Sequence, residues 1–208
     1  MWFQISIGSI CGLLAGIGSF YLLREFIVGR ERRSDKFYLL CVCIGLLVGL
    51  SGAYFMNSLS ELFLTIIFGV TLFIGATIDK QYLILPDEGA ILLSISGLGR
   101  IWLINGAWKS VIISAALVWL GGFLLRKVSN EGLGLGDIKW CSTFALWLSS
   151  VALWYAIVLA FVSGTCWLLM YWLLTRKKLY VLPFGPFLCM ATWCLYIWEQ
   201  GGGQILIY

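Results

Sequence analysis

The chain has 208 residues, of which 61% are hydrophobic and 12% charged, with 11 tryptophans, 7 cysteines, no histidine and a net charge of +4. Its mean hydropathy of +0.96 lies far from the balance of a soluble globular domain. This composition excludes a soluble enzyme and implies a polytopic membrane protein, all-α because a backbone crossing lipid must satisfy its own polar groups, as a helix does.

Apolar runs in chain order predict about eight transmembrane helices, against about 20 residues for an upright crossing. The expected cores are Trp2 to Leu23, Phe37 to Phe55, Leu62 to Ile78, Glu88 to Ile104, Ser110 to Leu125, Trp140 to Trp154, Tyr155 to Thr175 and Phe187 to Trp198. The first lacks a basic leader and a small-residue cleavage site, so it reads as a retained span. The boundary between the sixth and seventh is marked only by Ser149 and Ser150. With the N-terminus outside, the inner segments hold 12 of the 14 basic residues, leaving Arg100 and Lys109 on the other side. The net positive charge is thus a topology signal, and no nucleic-acid role is expected.

Against this background the ten acidic residues stand out, because a carboxylate at membrane depth is costly to ionise and marks a functional site by default. Asp79 ends the third apolar run and Asp137 precedes the sixth, in Gly134-Leu135-Gly136-Asp137. The topology brings both acids to the cytoplasmic boundary. Two aspartates sharing a site hold one proton over a wide pH range, so one draws a proton from water while the other protonates the leaving group. Gly134 and Gly136 would let backbone approach backbone at the helix entrance, and Lys139 is near enough to bias the pair's titration. The structural alternatives are a flexible loop with Asp137 as a helix N-cap, an interfacial Asp79 paired with Lys80, and Asp87 with Glu88 as a helix start after Pro86.

The run Gly134-Leu135-Gly136-Asp137 with Lys139 resembles the GxGDxK signature of type IV prepilin peptidases, a family of GxGD-class intramembrane aspartyl proteases. Asp79, separated by six residues from Pro86 and Asp87, is similar to the family's other aspartate motif. Pro183, Phe184, Gly185 and Pro186 match the proline-bracketed segment before its last span, and Glu131 fits an acid that often precedes the glycine motif. The resemblance covers about residues 75 to 190 and implies one transmembrane peptidase domain over residues 1–208. It makes Asp79 and Asp137 the catalytic dyad, with Gly134 and Gly136 shaping the loop and Pro183 to Pro186 forming a turn beside it.

The implied substrate is a prepilin or prepilin-like pseudopilin with a short basic leader and a hydrophobic helix, cut after a glycine at the inner face of a bacterial cytoplasmic membrane. The further partners are membrane lipid and a pilus or type II secretion machinery. Glu25, Glu31 and Asp35 are the acids of the first loop suited to attract the leader. Long family members carry paired CxxC zinc motifs there, associated with N-methylation of the product. Here Arg24 to Lys36 holds no cysteine, and Cys11, Cys41, Cys43, Cys141, Cys166, Cys189 and Cys194 form no CxxC pair. No metal or cofactor is therefore expected, methyl transfer is doubtful, and Gly18-Ser19-Phe20, which resembles the family's Gly-Ser-Phe element near the end of the first span, suggests a naturally short form.

Other features read as membrane architecture. Gly12, Gly16 and Gly18, or Gly45 and Gly49, suit close helix packing. Nine tryptophans, Trp147 among them, suit interfacial or lipid-facing positions, and Arg100 is expected to reach outward with Lys109. Two other readings stay open: a small transporter relaying protons or a cation through the two aspartates, and a noncatalytic pilus or secretion assembly factor. Against the transporter, no inverted repeat is visible and both acids sit at one boundary.

Overall fold

A computed structural model describes residues 2–27, 35–56, 58–104, 108–176 and 181–202. Among these residues there are eight helices and no strand. The helices are α1 (Trp2–Ile27), α2 (Asp35–Phe55), α3 (Leu59–Tyr82), α4 (Asp87–Leu103), α5 (Trp108–Val128), α6 (Leu135–Phe144), α7 (Ser150–Thr175) and α8 (Gly185–Gln200). Five of them, α1, α2, α3, α5 and α7, are long and apolar enough to cross a membrane, as befits a multi-pass membrane protein. The other three, α4, α6 and α8, have 17, 10 and 16 residues.

The expected sixth span, Trp140 to Trp154, is corrected. Helix α6 ends at Phe144, a turn follows, and α7 starts at Ser150, so Trp154 and Tyr155 lie within one helix. The reason is local. The Ser149 hydroxyl accepts the Ala152 N–H at 3.3 Å, capping α7. Glu199 of α8 in turn accepts the Ser149 N–H at 3.2 Å and the Ser149 hydroxyl, placing a carboxylate at the positive end of α7.

The chain falls into two compact units, residues 1–74 and 75–208, with the division inside α3. In the first unit α1 packs along α2 on a glycine seam. A methyl group at Gly8 would lie 2.6 Å from the Gly49 carbonyl oxygen, one at Gly16 2.7 Å from that of Cys41, and one at Gly12 on that of Gly45. The seam therefore runs Gly8, Gly12, Gly16 against Gly45 and Gly49, while Gly18 faces open space. Cys41 is buried beside this seam and Cys43 is exposed. Of the first-loop acids, Glu31 lies outside the described residues, as do the side chains of Glu25 and Asp35.

In the second unit α6 is the buried centre. Its Trp140 ring occupies the space left by Gly75 of α3 and Gly89 of α4, and its indole N–H donates to the Pro86 carbonyl at 3.1 Å. Trp147, in the turn after α6, is buried rather than lipid-facing, because its N–H finds the Leu93 carbonyl at 3.0 Å and its ring packs on Tyr196 at 5.9 Å. Arg100 is turned inward as well. Its guanidinium donates to the Trp147 carbonyl at 3.4 Å and lies over the Tyr196 ring.

The glycine seam makes a direct prediction. Gly45→Ile forces α1 and α2 apart and is expected to lower stability by about 1–3 kcal/mol. Gly18→Ala, on the open side, is expected to leave it unchanged or slightly raised. Thermal unfolding of the two variants in one detergent checks the contrast.

Candidate active site

Asp79 lies in the last turn of α3. The helix stops one turn later, where the Leu83 N–H donates to the Asp79 carbonyl at 2.8 Å and Leu83 takes a left-handed φ of 59°. That conformation costs a branched residue about 1–2 kcal/mol. It turns the chain into an extended segment that delivers Pro86 to the start of α4, leaving the Asp79 side chain buried.

The first residue of α8 meets this carboxylate. The Gly185 N–H, one of the donors a helix leaves unpaired at its start, donates to Asp79 Oδ2 at 2.7 Å. A methyl group at Gly185 would lie 2.8 Å from the same oxygen, so glycine is required here by close approach. The Pro183 to Pro186 segment is thus more than a neighbouring turn. It aims a helix N-terminus, with its partial positive charge, at a carboxylate.

Asp137 is held by the same device from another helix. Gly134, not Asp137, is the N-cap of α6, and Asp137 is the third helical residue. Its side chain reaches back to accept the Gly134 backbone N–H, the reciprocal half of a capping box. A methyl group at Gly134 would stand 2.7 Å from Asp137 Oδ2, while one at Gly136 would press on Leu85 at 3.2 Å. The two glycines therefore act differently, one beside the carboxylate and one against the chain that follows Asp79.

Both aspartates line one open cleft of about 480 Å³, walled by Leu83, the Gly132 to Gly134 loop, Phe161 of α7 and Phe184. Burial raises the Asp137 carboxyl to about 6 from its ordinary 3.8; the charge of Asp79 adds to the rise and the Gly134 amide opposes it. Lys139 does not face the pair. Its ammonium sits 2.8 Å from both carboxylate oxygens of Asp87, tying the start of α4 to α6. Asp87 is exposed at the start of α4 with Glu88, consistent with a helix-start role.

The sequence pattern of the type IV leader peptidase family matches residues 65–169, a stretch that includes both aspartates and the Gly132 to Gly134 loop. The chain belongs to the type IV leader peptidase family. Its relatives include a prepilin leader peptidase/N-methyltransferase of Dichelobacter nodosus, 27% identical over 149 residues, which are 69% of this chain and 51% of that protein. Proteins of the same name from Xanthomonas campestris and Aeromonas salmonicida are 26% and 29% identical over 131 and 132 residues, each 58% of this chain and 45% and 44% of theirs. The chain thus spans about half the length of the curated relatives it matches. No solved structure matches it.

Among the residues singled out in the sequence, Asp79, Asp137, Gly134 and Phe184 line the cleft, while Gly185 touches Asp79 directly. Pro86, Asp87, Gly136 and Lys139 lie behind it, binding the segment after Asp79 to α6. Trp140 with Gly75 and Gly89 belongs to that support and was not anticipated. Two glycines on successive apolar segments, with one tryptophan to fill them, are its sequence signal.

Infrared titration of the purified protein is expected to show a protonated carboxyl band lost with a midpoint near pH 6 and missing from Asp137→Asn. A midpoint at the ordinary 3.8 contradicts the burial of this group.

Proposed function

We propose that this chain is a membrane-embedded aspartic endopeptidase that removes the short basic leader of type IV prepilins or prepilin-like pseudopilins at the cytoplasmic membrane face. The observation that carries the reading is the single cleft lined by Asp79 and Asp137, each holding a backbone N–H from the start of a helix. Membership of the type IV leader peptidase family and the names of the relatives support the substrate class.

The chemistry follows from two acids in one partly desolvated site. Like charges at short range are costly, so the pair retains one proton. Water between them gives a proton to the charged carboxylate as its oxygen attacks the scissile carbonyl, and the neutral carboxyl protonates the departing amine. The helix-start amides of Gly185 and Gly134 each keep one carboxylate oxygen engaged, which fixes the remaining oxygens toward the cleft. The cleft's open side admits an extended peptide and water, while Leu83, Phe161 and Phe184 present apolar surface to a hydrophobic substrate segment.

Orientation rests on the distribution of charge. Lys80, Arg126, Lys127, Lys139 and Arg176 all lie near the end of the helices where the two aspartates stand, so that end faces the cytoplasm by the positive-inside rule. The N-terminus is then outside, the membrane is the bacterial inner membrane, and lipid surrounds the helices. The motifs of the proposed chemistry, from about residue 75 to 190, form the core of one peptidase domain. The reading is confined to leader removal, with neither metal nor cofactor in the reaction and pilus or secretion machinery as the downstream partner.

Membranes carrying wild type, Asp79→Asn and Asp137→Asn, incubated with candidate prepilins, test the dyad by gel shift and terminal mass. Each substitution keeps the shape and removes the titrating group, and is expected to slow cleavage by about 10³-fold or more at unchanged membrane levels. Cleavage at the wild-type rate by both variants contradicts an aspartyl mechanism.

A further inference from the structure

The end of α5 and the loop after it are built around Arg126. Helix α5 closes in a left-handed cap, with the Glu131 N–H donating to the Arg126 carbonyl at 2.9 Å and the Asn130 N–H to the Lys127 carbonyl at 3.4 Å. Asn130 takes φ 50°, a conformation asparagine tolerates. Glu131 follows with φ 66°, where glycine is the unstrained choice. A residue kept in a strained conformation points to a use for its side chain. Here the Glu131 carboxylate stands 3.2 Å from Arg126 Nη2.

The other terminal nitrogen of the same guanidinium, Nη1, donates to the Leu133 carbonyl at 2.5 Å. That carbonyl and the Gly134 N–H belong to one peptide group, which is planar and moves as a unit. Its oxygen is gripped by Arg126, and its N–H donates to the Asp137 carboxylate. A cation on the oxygen side polarises the amide and strengthens the N–H as a donor. The Arg126 side chain is largely buried, and the loop it holds, Gly132 to Gly134, forms one wall of the cleft.

We propose that Arg126 is a positioning residue for Asp137, acting through the Leu133–Gly134 peptide, with Glu131 orienting its guanidinium. This rests on the peptidase reading of the cleft. The groups facing Asp137 are Asp79 from α3, Cys141 one turn on in α6 and Cys189 from α8, while Lys139 is directed at Asp87. Arg126 is linked to Asp137 through the Leu133–Gly134 peptide. Removing it weakens the Gly134 hydrogen bond, and since that bond favours the charged carboxylate, the proton affinity of Asp137 rises.

The test is the pH profile of prepilin cleavage for Arg126→Gln, Arg126→Lys, Glu131→Gln and the control Lys127→Gln, all at matched membrane levels. Lys127 lies over the Phe123 ring and carries the same charge at the same helix end. Arg126→Gln is expected to lower kcat by about tenfold to a hundredfold with little change in KM. Its high-pH limb is expected to move up by about 1 pH unit. Glu131→Gln is expected to do the same to a smaller degree, Arg126→Lys to recover part of the loss, and Lys127→Gln to match wild type. A lowered plateau with an unmoved limb in Arg126→Gln, or an equal shift in Lys127→Gln, overturns the proposal. If wild type cleaves and Asp137→Asn does not, such a result counts against Arg126 alone. Failure of wild type to cleave, or cleavage by Asp137→Asn, counts against the peptidase reading instead.

Discussion

A carboxylate near lipid is tolerable only where donors replace the water it has lost. In this molecule the donors come from the starts of two helices. The Gly185 N–H of α8 serves Asp79, and the Gly134 N–H at the entry of α6 serves Asp137. Helix starts suit the task because their first N–H groups have no partner within the helix and point along its axis with partial positive charge. In both cases the donor is a glycine, since the carboxylate occupies the position a methyl group would take. The remaining features of the second unit keep these two helix starts and the end of α3 in register.

That register is maintained by contacts between the chain after Asp79 and the helix of Asp137. Gly136 lies against Leu85, the Trp140 indole donates to the Pro86 carbonyl, and Lys139 pairs with Asp87. An exposed ion pair such as Lys139 with Asp87 contributes under about 1 kcal/mol. Trp140, buried against Gly75 and Gly89, contributes more through area and shape. Spacing in the two aspartate motifs thus has a physical content: each acid is followed by the residues that fasten its segment to the other.

Much of the architecture was legible because lipid imposes simple rules. Composition sufficed for a helical membrane protein, and the eight apolar runs each found a helix, of which five are long and apolar enough to cross a membrane. The error lay at Ser149, where an apolar run continues through a helix boundary and only a serine cap with a distant glutamate marks the break. Trp147 and Arg100 were misplaced for a related reason. Their partners, Leu93 and Tyr196, lie on other helices, so hydropathy alone sent them to the membrane surface. At the site, the two aspartates and the glycine motif were visible as a pattern. The Gly185 amide was not, because a backbone donor 106 positions from its acceptor leaves no mark on either residue except a glycine that packing requires.

Under the proposed function, the Gly185 backbone amide of the proline-bracketed segment orders the Asp79 carboxylate for catalysis. The most direct test is the rate of prepilin cleavage by Gly185→Ala, with membrane level and thermal midpoint measured alongside. A fall of about a hundredfold with the fold intact is expected, because the added methyl group displaces the Asp79 carboxylate. Cleavage at the wild-type rate by a folded Gly185→Ala protein would contradict this role of the Gly185 amide.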